Sequence, residues 1–172
     1  SFTIATSVDD GTTTVTGSKA FTGTATDDAP TATNLSAAEG YTEDTALDLT
    51  DIVVTDVDTA NVTVTLTLSN VAAGALNTGT SGSVTSTYDS ATGVWSASGA
   101  KADVNTLLAA LTFTPALNFN GNFTIATSVS DGVNTAVTGS KAFTGTAVDD
   151  APTATNLSAA ESYTEDTALD LT

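Results

Sequence analysis

The chain has 172 residues, 20 of them acidic against three lysines and no histidine, for a formal charge of −17. That balance excludes nucleic acid as a natural partner, disfavours anionic membrane surfaces and invites multivalent cations. Cysteine is absent, which removes disulfides and thiol chemistry. Without histidine the usual nucleophile–base pairs are missing as well. Yet 40% of the residues are apolar, which argues for a folded chain and against acidic disorder. No apolar run approaches the length of a membrane span, so no membrane insertion is expected.

An internal repeat organises everything else. The first stretch, SFTIATSVDDGTTTVTGSKAFTGTATDDAPTATNLSAAEGYTEDTALDLT, returns near the end as NFTIATSVSDGVNTAVTGSKAFTGTAVDDAPTATNLSAAESYTEDTALDLT. Phe2 corresponds to Phe123 and Phe21 to Phe143, giving a period of about 122 residues, the size of a domain and not of a solenoid unit. Taking the two DDAP segments as linkers divides the chain into 1–30, the C-terminal part of a preceding repeat; 31–150, one complete repeat; and 151–172, the N-terminal part of a following one. Neither flank can bury its own apolar face alone. Continuation of the same chain or neighbouring identical chains would complete them.

In chain order, 61–70 (NVTVTLTLSN) alternates strictly, with Val62, Val64, Leu66 and Leu68 on one face, and predicts a half-buried strand. Segments 83–88 and 94–98 flank DSATG and predict a hairpin. Val104, Leu107, Leu108 and Leu111 recur at helical spacing, so ADVNTLLAA predicts a short amphipathic helix crossing between sheets. A strand follows at 111–114. Segments 123–129 and 135–148 flank Ser-Asp-Gly-Val-Asn and predict a second, long hairpin. Trp95, Phe113, Phe119, Phe123 and Phe143 are the expected large core residues.

The carboxylates gather at few places: Glu43-Asp44 in YTEDTALDL, Asp56-Val-Asp58 in VVTDVDTAN, Asp131 in SDG, and the linker pairs Asp27-Asp28 and Asp149-Asp150. Glu165-Asp166 repeat the first of these. Calcium takes six to eight oxygens from several carboxylates and carbonyls, and Asp-x-Asp supplies two from one turn. In a sandwich, alternate turns share a pole. Asp56, Asp58 and Asp131 are therefore expected beside Asp27 and Asp28, with Glu43 and Asp44 at the other pole near Asn118, Asn120, Asp149 and Asp150. Asp131 alone reads equally well as a turn residue. Asp9 becomes Ser130 in the second copy and reads as a turn residue, while Asp48, Asp51, Asp89 and Asp103 read as surface, turn or helix-start residues. A carboxylate pair can hydrolyse glycosides, but Asp56 and Asp58 are the one candidate and sit in a repeated polar loop. The chain therefore reads as non-enzymatic.

The ordered set TEDTALDL, DVD, ADVNTLLAALTFTPALNFNGNFTIATSVSDG and DDAP resembles the cadherin-like repeats, including the VCBS type, of giant secreted RTX-class bacterial adhesins. DDAP stands where that group more often has Asn-Asp-Ala-Pro. The resemblance implies an all-β, immunoglobulin- or cadherin-like antiparallel β-sandwich in tandem, calcium between domains, type I secretion to the cell surface and a role as an extender arm. Carried over by position, it implies Glu43, Asp56, Asp58, Asp149 and Asp150 as ligands. Two other readings stand beside it: a filament or sheath of the same repeats, and a module binding carbohydrate or ice through flat threonine faces.

Overall fold

The structure is a computed structural model and describes residues 1–170. Threonine, valine and phenylalanine at alternating positions favour strands, and the chain is accordingly all-β with one α-helix among the described residues. It opens on a hairpin of β1 (Phe2–Asp9) and β2 (Thr14–Phe21), which forms a two-stranded sheet by itself. Then come β3 (Thr31–Ala32), β4 (Glu39–Thr42), β5 (Leu47–Asp48), β6 (Val54–Thr55) and β7 (Asn61–Leu68). A 3₁₀ turn at Val71–Ala73 leads into β8 (Gly74–Leu76), β9 (Thr80–Ser81), β10 (Val84–Thr85), β11 (Thr87–Asp89) and β12 (Val94–Ala100). Helix α1 (Lys101–Ala109) precedes β13 (Thr112–Pro115), β14 (Phe123–Ser130) and β15 (Val137–Thr146).

The larger sheet runs β11-β12-β7-β14-β15-β4, antiparallel except for the β15–β4 pair, which is parallel. A smaller sheet runs β5-β13-β8, and β3–β6 and β9–β10 add two short pairs. The strict alternation of β7 suits a strand between two others: Val62, Val64, Leu66 and Leu68 are buried, and the intervening threonines are half-buried. Phe113 on the smaller sheet meets Phe123 at 4.9 Å and Phe143 at 5.7 Å between ring centroids, so aromatic rings bridge the two sheets. Trp95 is fully buried and satisfies its indole N–H on the Asn77 carbonyl at 2.9 Å.

Helix α1 carries the chain from the larger sheet to the smaller, turning Val104, Leu107 and Leu108 inward. Asn105 fastens it to β6, accepting from the Val54 N–H and donating to the Val54 carbonyl, both at 2.9 Å.

Two strand expectations need correction. Strand β15 runs from Val137 to Thr146 and not from 135 to 148. Asp131 draws Val133 and Asn134 into the turn, and Glu43 takes the Val148 N–H. The 83–88 segment is broken at Ser86, whose N–H and hydroxyl both engage Gly79. Only β11 joins β12 in the expected hairpin, and β10 turns to β9.

The hydrophobic core among the described residues lies between Leu35 and Phe143, with Pro30 of the linker also buried. The flanks behave differently. Hairpin β1–β2 is exposed throughout, and residues 151–170 are exposed and without strands. The last two residues of the expected 151–172 flank lie outside the described residues.

One feature escaped the sequence reading. Lys141 points inward from β15 and is fully buried, its Nζ 2.6 Å from Glu39 Oε1 on β4 and 3.2 Å from the Thr50 carbonyl. Glu39 in turn accepts the Thr50 N–H and hydroxyl at 3.0 and 3.1 Å. The pair clasps the two parallel strands together.

Candidate functional site

Aspartate favours turns because its carboxylate accepts N–H groups two and three residues on. Asp56 does this, its Oδ1 taking the N–H of Asp58 at 3.0 Å and of Thr59 at 2.7 Å. The loop so formed meets the preceding linker. Asp58 Oδ2 accepts the Asp28 N–H at 3.0 Å, and the Thr59 hydroxyl donates to Asp27 Oδ1 at 3.1 Å. The β14–β15 turn closes on the same place: the Asn134 amide donates to Asp27 Oδ2 at 2.7 Å and to Asp131 Oδ2 at 3.0 Å. Asp27, Asp28, Asp56, Asp58 and Asp131 therefore share one pole. Lys101 Nζ adds a positive charge there, donating to the carbonyls of Asp56 and Thr59.

The second pole is organised by Glu43, only 3% exposed. Its Oε2 accepts from Asn120 Nδ2 at 2.9 Å and its Oε1 from the Val148 N–H at 2.5 Å. Asp44, at φ 60°, accepts the Asn118 N–H at 3.1 Å. Asn118 and Asn120 thus stand where expected, whereas Asp149 and Asp150 are exposed and the reach of this pole stops at Val148. Glu165 and Asp166 are exposed in a turn that repeats the first copy, with Asp166 at φ 64° and the Thr167 N–H on the Thr164 carbonyl.

Asp131 has turn work of its own. Its Oδ1 accepts the Val133 and Asn134 N–H groups, both at 2.8 Å, just as Asp10 accepts those of Thr12 and Thr13 in the first hairpin. The Asn134 side chain first, then these N–H groups, hold its carboxyl below the ordinary aspartate value. Such a group adds stability that is complete above the unfolded value of about 3.9 and is lost as pH falls through the lower folded value. Asp131→Asn is therefore expected to flatten the acid limb of stability, read as urea midpoints between about pH 2 and 6. An unchanged acid limb would remove Asp131 from this role.

One atom at the first pole has no protein partner. Asp56 Oδ2 is buried and accepts no hydrogen bond, and leaving a buried acceptor unmet costs about 1–3 kcal/mol. A cation or a water there would satisfy it. The surrounding oxygens are carboxylates and the carbonyls of Asp56 and Thr59, a type that suits a hard cation such as calcium, although Lys101 already donates to both carbonyls. Among the described residues, however, no three acidic side chains stand close enough together to hold an ion as they are. The Asn134 amide occupies Asp27 and Asp131 oxygens that an ion would need.

Lys141 and Glu39 were missed because a lysine in Gly-Ser-Lys-Ala-Phe reads as solvent-facing by type. The usable signal was the repeat itself: Lys19 and Lys141 hold the same position, as do Glu39 and Glu161. No helix among the described residues is long and apolar enough to cross a membrane. No family model and no curated protein matches the chain.

Proposed function

We propose that the chain is a stretch of extender repeats from a bacterial cell-surface adhesin. Its tandem immunoglobulin- or cadherin-like sandwiches hold a distal adhesive tip away from the cell, and calcium at the junctions stiffens them. The role is structural and extracellular, with adjacent repeats as partners. The observation that carries it is the docking of the linker aspartates Asp27 and Asp28 onto the Asp56–Thr59 loop and the Asn134 amide. Linker and repeat then move as one body, and the unpartnered Asp56 Oδ2 marks where an ion would add to the hold. Near-identity of the two copies supports a spacer, which is duplicated freely, over a reader domain. A filament of identical chains is the second reading, favoured by the uncovered apolar residues of the first hairpin.

Calcium would be held by Asp27, Asp28, Asp56, Asp58 and Asp131 at the first pole and by Glu43, Asp44 and the following linker at the second. When bound it supplies charge that cancels carboxylate repulsion. A ligand at a hundred times its dissociation constant stabilises by about 2.7 kcal/mol, which raises melting by roughly 8–14 °C for a repeat of this size. The test is thermal melting with solution scattering, in calcium and in chelator. Expected are that rise and a longer maximum dimension in calcium. If neither quantity changes, the calcium-stiffened extender is wrong.

A further inference from the structure

We propose that the apolar face of hairpin β1–β2 is a docking surface for a chain segment patterned like residues 31–121, carried ahead of Ser1, and that Lys19 selects it through a glutamate equivalent to Glu39. The proposal rests on the repeat reading above and names the partner that reading leaves open.

The hairpin exists twice, once covered and once bare. Phe2↔Phe21, Ile4↔Lys19 and Val8↔Val15 stand in the same register as Phe123↔Phe143, Ile125↔Lys141 and Val129↔Val137. The end rings stack in both, at 5.0 Å and 4.6 Å. In the second copy β7 lies along β14, pairing Leu68 with Ile125 and Val64 with Val129. On the other side β4 lies along β15, pairing Glu39 with Phe143. In the first copy Phe2, Ile4, Val8, Val15 and Phe21 are exposed instead. The occupant therefore needs an alternating apolar strand for the β1 edge and a glutamate-bearing strand, parallel to β2, for the other.

Two residues of the bare hairpin are shaped for this cover. A Cβ on Gly139 would come within 2.7 Å of the Leu35 backbone, so β15 needs glycine there. Gly17 keeps the same glycine, although its only near neighbour is the Thr6 hydroxyl. Lys19 places an ammonium group on an apolar face, and burying an ammonium without a counter-charge is strongly unfavourable. Apolar surfaces without an acid are thereby rejected, including the same face of a second hairpin, where lysine would meet lysine. Residues 151–170 of a second copy bring equivalents of Glu39 and Tyr41 in Glu161 and Tyr163, but nothing for the β1 edge. The upstream segment supplies both edges.

The experiment compares the 172-residue chain with one lengthened by a second copy of residues 31–121 ahead of Ser1. Both are held in chelator, so the outcome is independent of calcium stiffening. Thr124 turns its N–H and carbonyl toward Ser69 at the β7 side, so its equivalent Thr3, with Ala5 and Ser7 at alternate positions, reports on the β1 edge. Amide exchange at Ala5 and Ser7 is expected to slow by at least about 100-fold in the lengthened chain. Lys19→Ala in that chain should lower the melting of the upstream unit alone and leave the 172-residue chain unaffected. Exchange that stays as fast in the lengthened chain would overturn the proposal. So would protection in the 172-residue chain that grows with concentration, since that makes a second copy the occupant.

Discussion

Replacing Glu39 with alanine is expected to destabilise the central repeat by about 3–5 kcal/mol, because it leaves a buried ammonium with no counter-charge. Lys141 has no exposed surface, and apart from Glu39 its Nζ reaches only the Thr50 carbonyl. Thr50 also loses partners, since its N–H and hydroxyl both donate to Glu39. Lys141→Met alone strands a carboxylate in the same way. The double change Glu39→Leu with Lys141→Met removes both charges and should recover most of the loss, as buried pairs replaced by apolar residues often do. Urea unfolding of the unchanged chain, Glu39→Leu, Lys141→Met and the double variant closes the cycle, with Glu39→Ala as a separate measure of the unpaired ammonium. A single-substitution cost under about 1 kcal/mol would show that the pair is not held as a buried unit. The pair joins β4 to β15, strands that run parallel; β15 leads into the outgoing linker, and the short β3, paired with β6, stands between the incoming linker and β4.

Most of the architecture could be read from residue order because it follows from short-range periodicity. Alternation from Val62 to Leu68 announced β7, and helical spacing of Val104, Leu107 and Leu108 announced α1 within one residue of its ends. The gathering of Asp27, Asp28, Asp56, Asp58 and Asp131 at one pole followed as well, and so did that of Glu43 and Asp44 with Asn118 and Asn120 at the other, but Asp149 and Asp150 stand outside it. What stayed hidden depends on long-range pairing. The parallel β15–β4 contact joins residues about a hundred positions apart in a four-pair register, and nothing local distinguishes it from an antiparallel edge. Strands β9 and β10 are two residues each and held by Ser86 and Gly79, too short for any periodicity. At the poles, composition identified the carboxylates but not their commitments. Asp56 spends one oxygen on its own turn and Asp131 spends both, so fewer oxygens are free for an ion than the carboxylates suggest. Asp149 and Asp150 are exposed, whereas their equivalents Asp27 and Asp28 are docked on the Asp56–Thr59 loop and the Asn134 amide.

The two copies of one phenylalanine provide the second large prediction. Phe123 is 6% exposed and packs against Phe113, Phe143, Tyr41 and Phe119, whereas its equivalent Phe2 is 63% exposed and touches Phe21 alone among aromatic rings. Phe123→Ala removes a ring from a filled core and is expected to cost about 3–5 kcal/mol. Phe2→Ala removes a ring already in water and should shift the same transition by less than about 0.5 kcal/mol. Trp95, the single tryptophan and fully buried in the central repeat, reports that transition by fluorescence during urea unfolding. Equal effects would mean that the first hairpin is packed on the central core, and the division at the DDAP linker would then be wrong. A large gap between identical residues in identical local sequence would locate the boundary by energy, because only the long-range cover differs. The same contrast should collapse once the upstream segment is supplied: in the lengthened chain Phe2 enters a core of its own, and Phe2→Ala then acquires the cost that Phe123→Ala carries here, confined to the upstream unit.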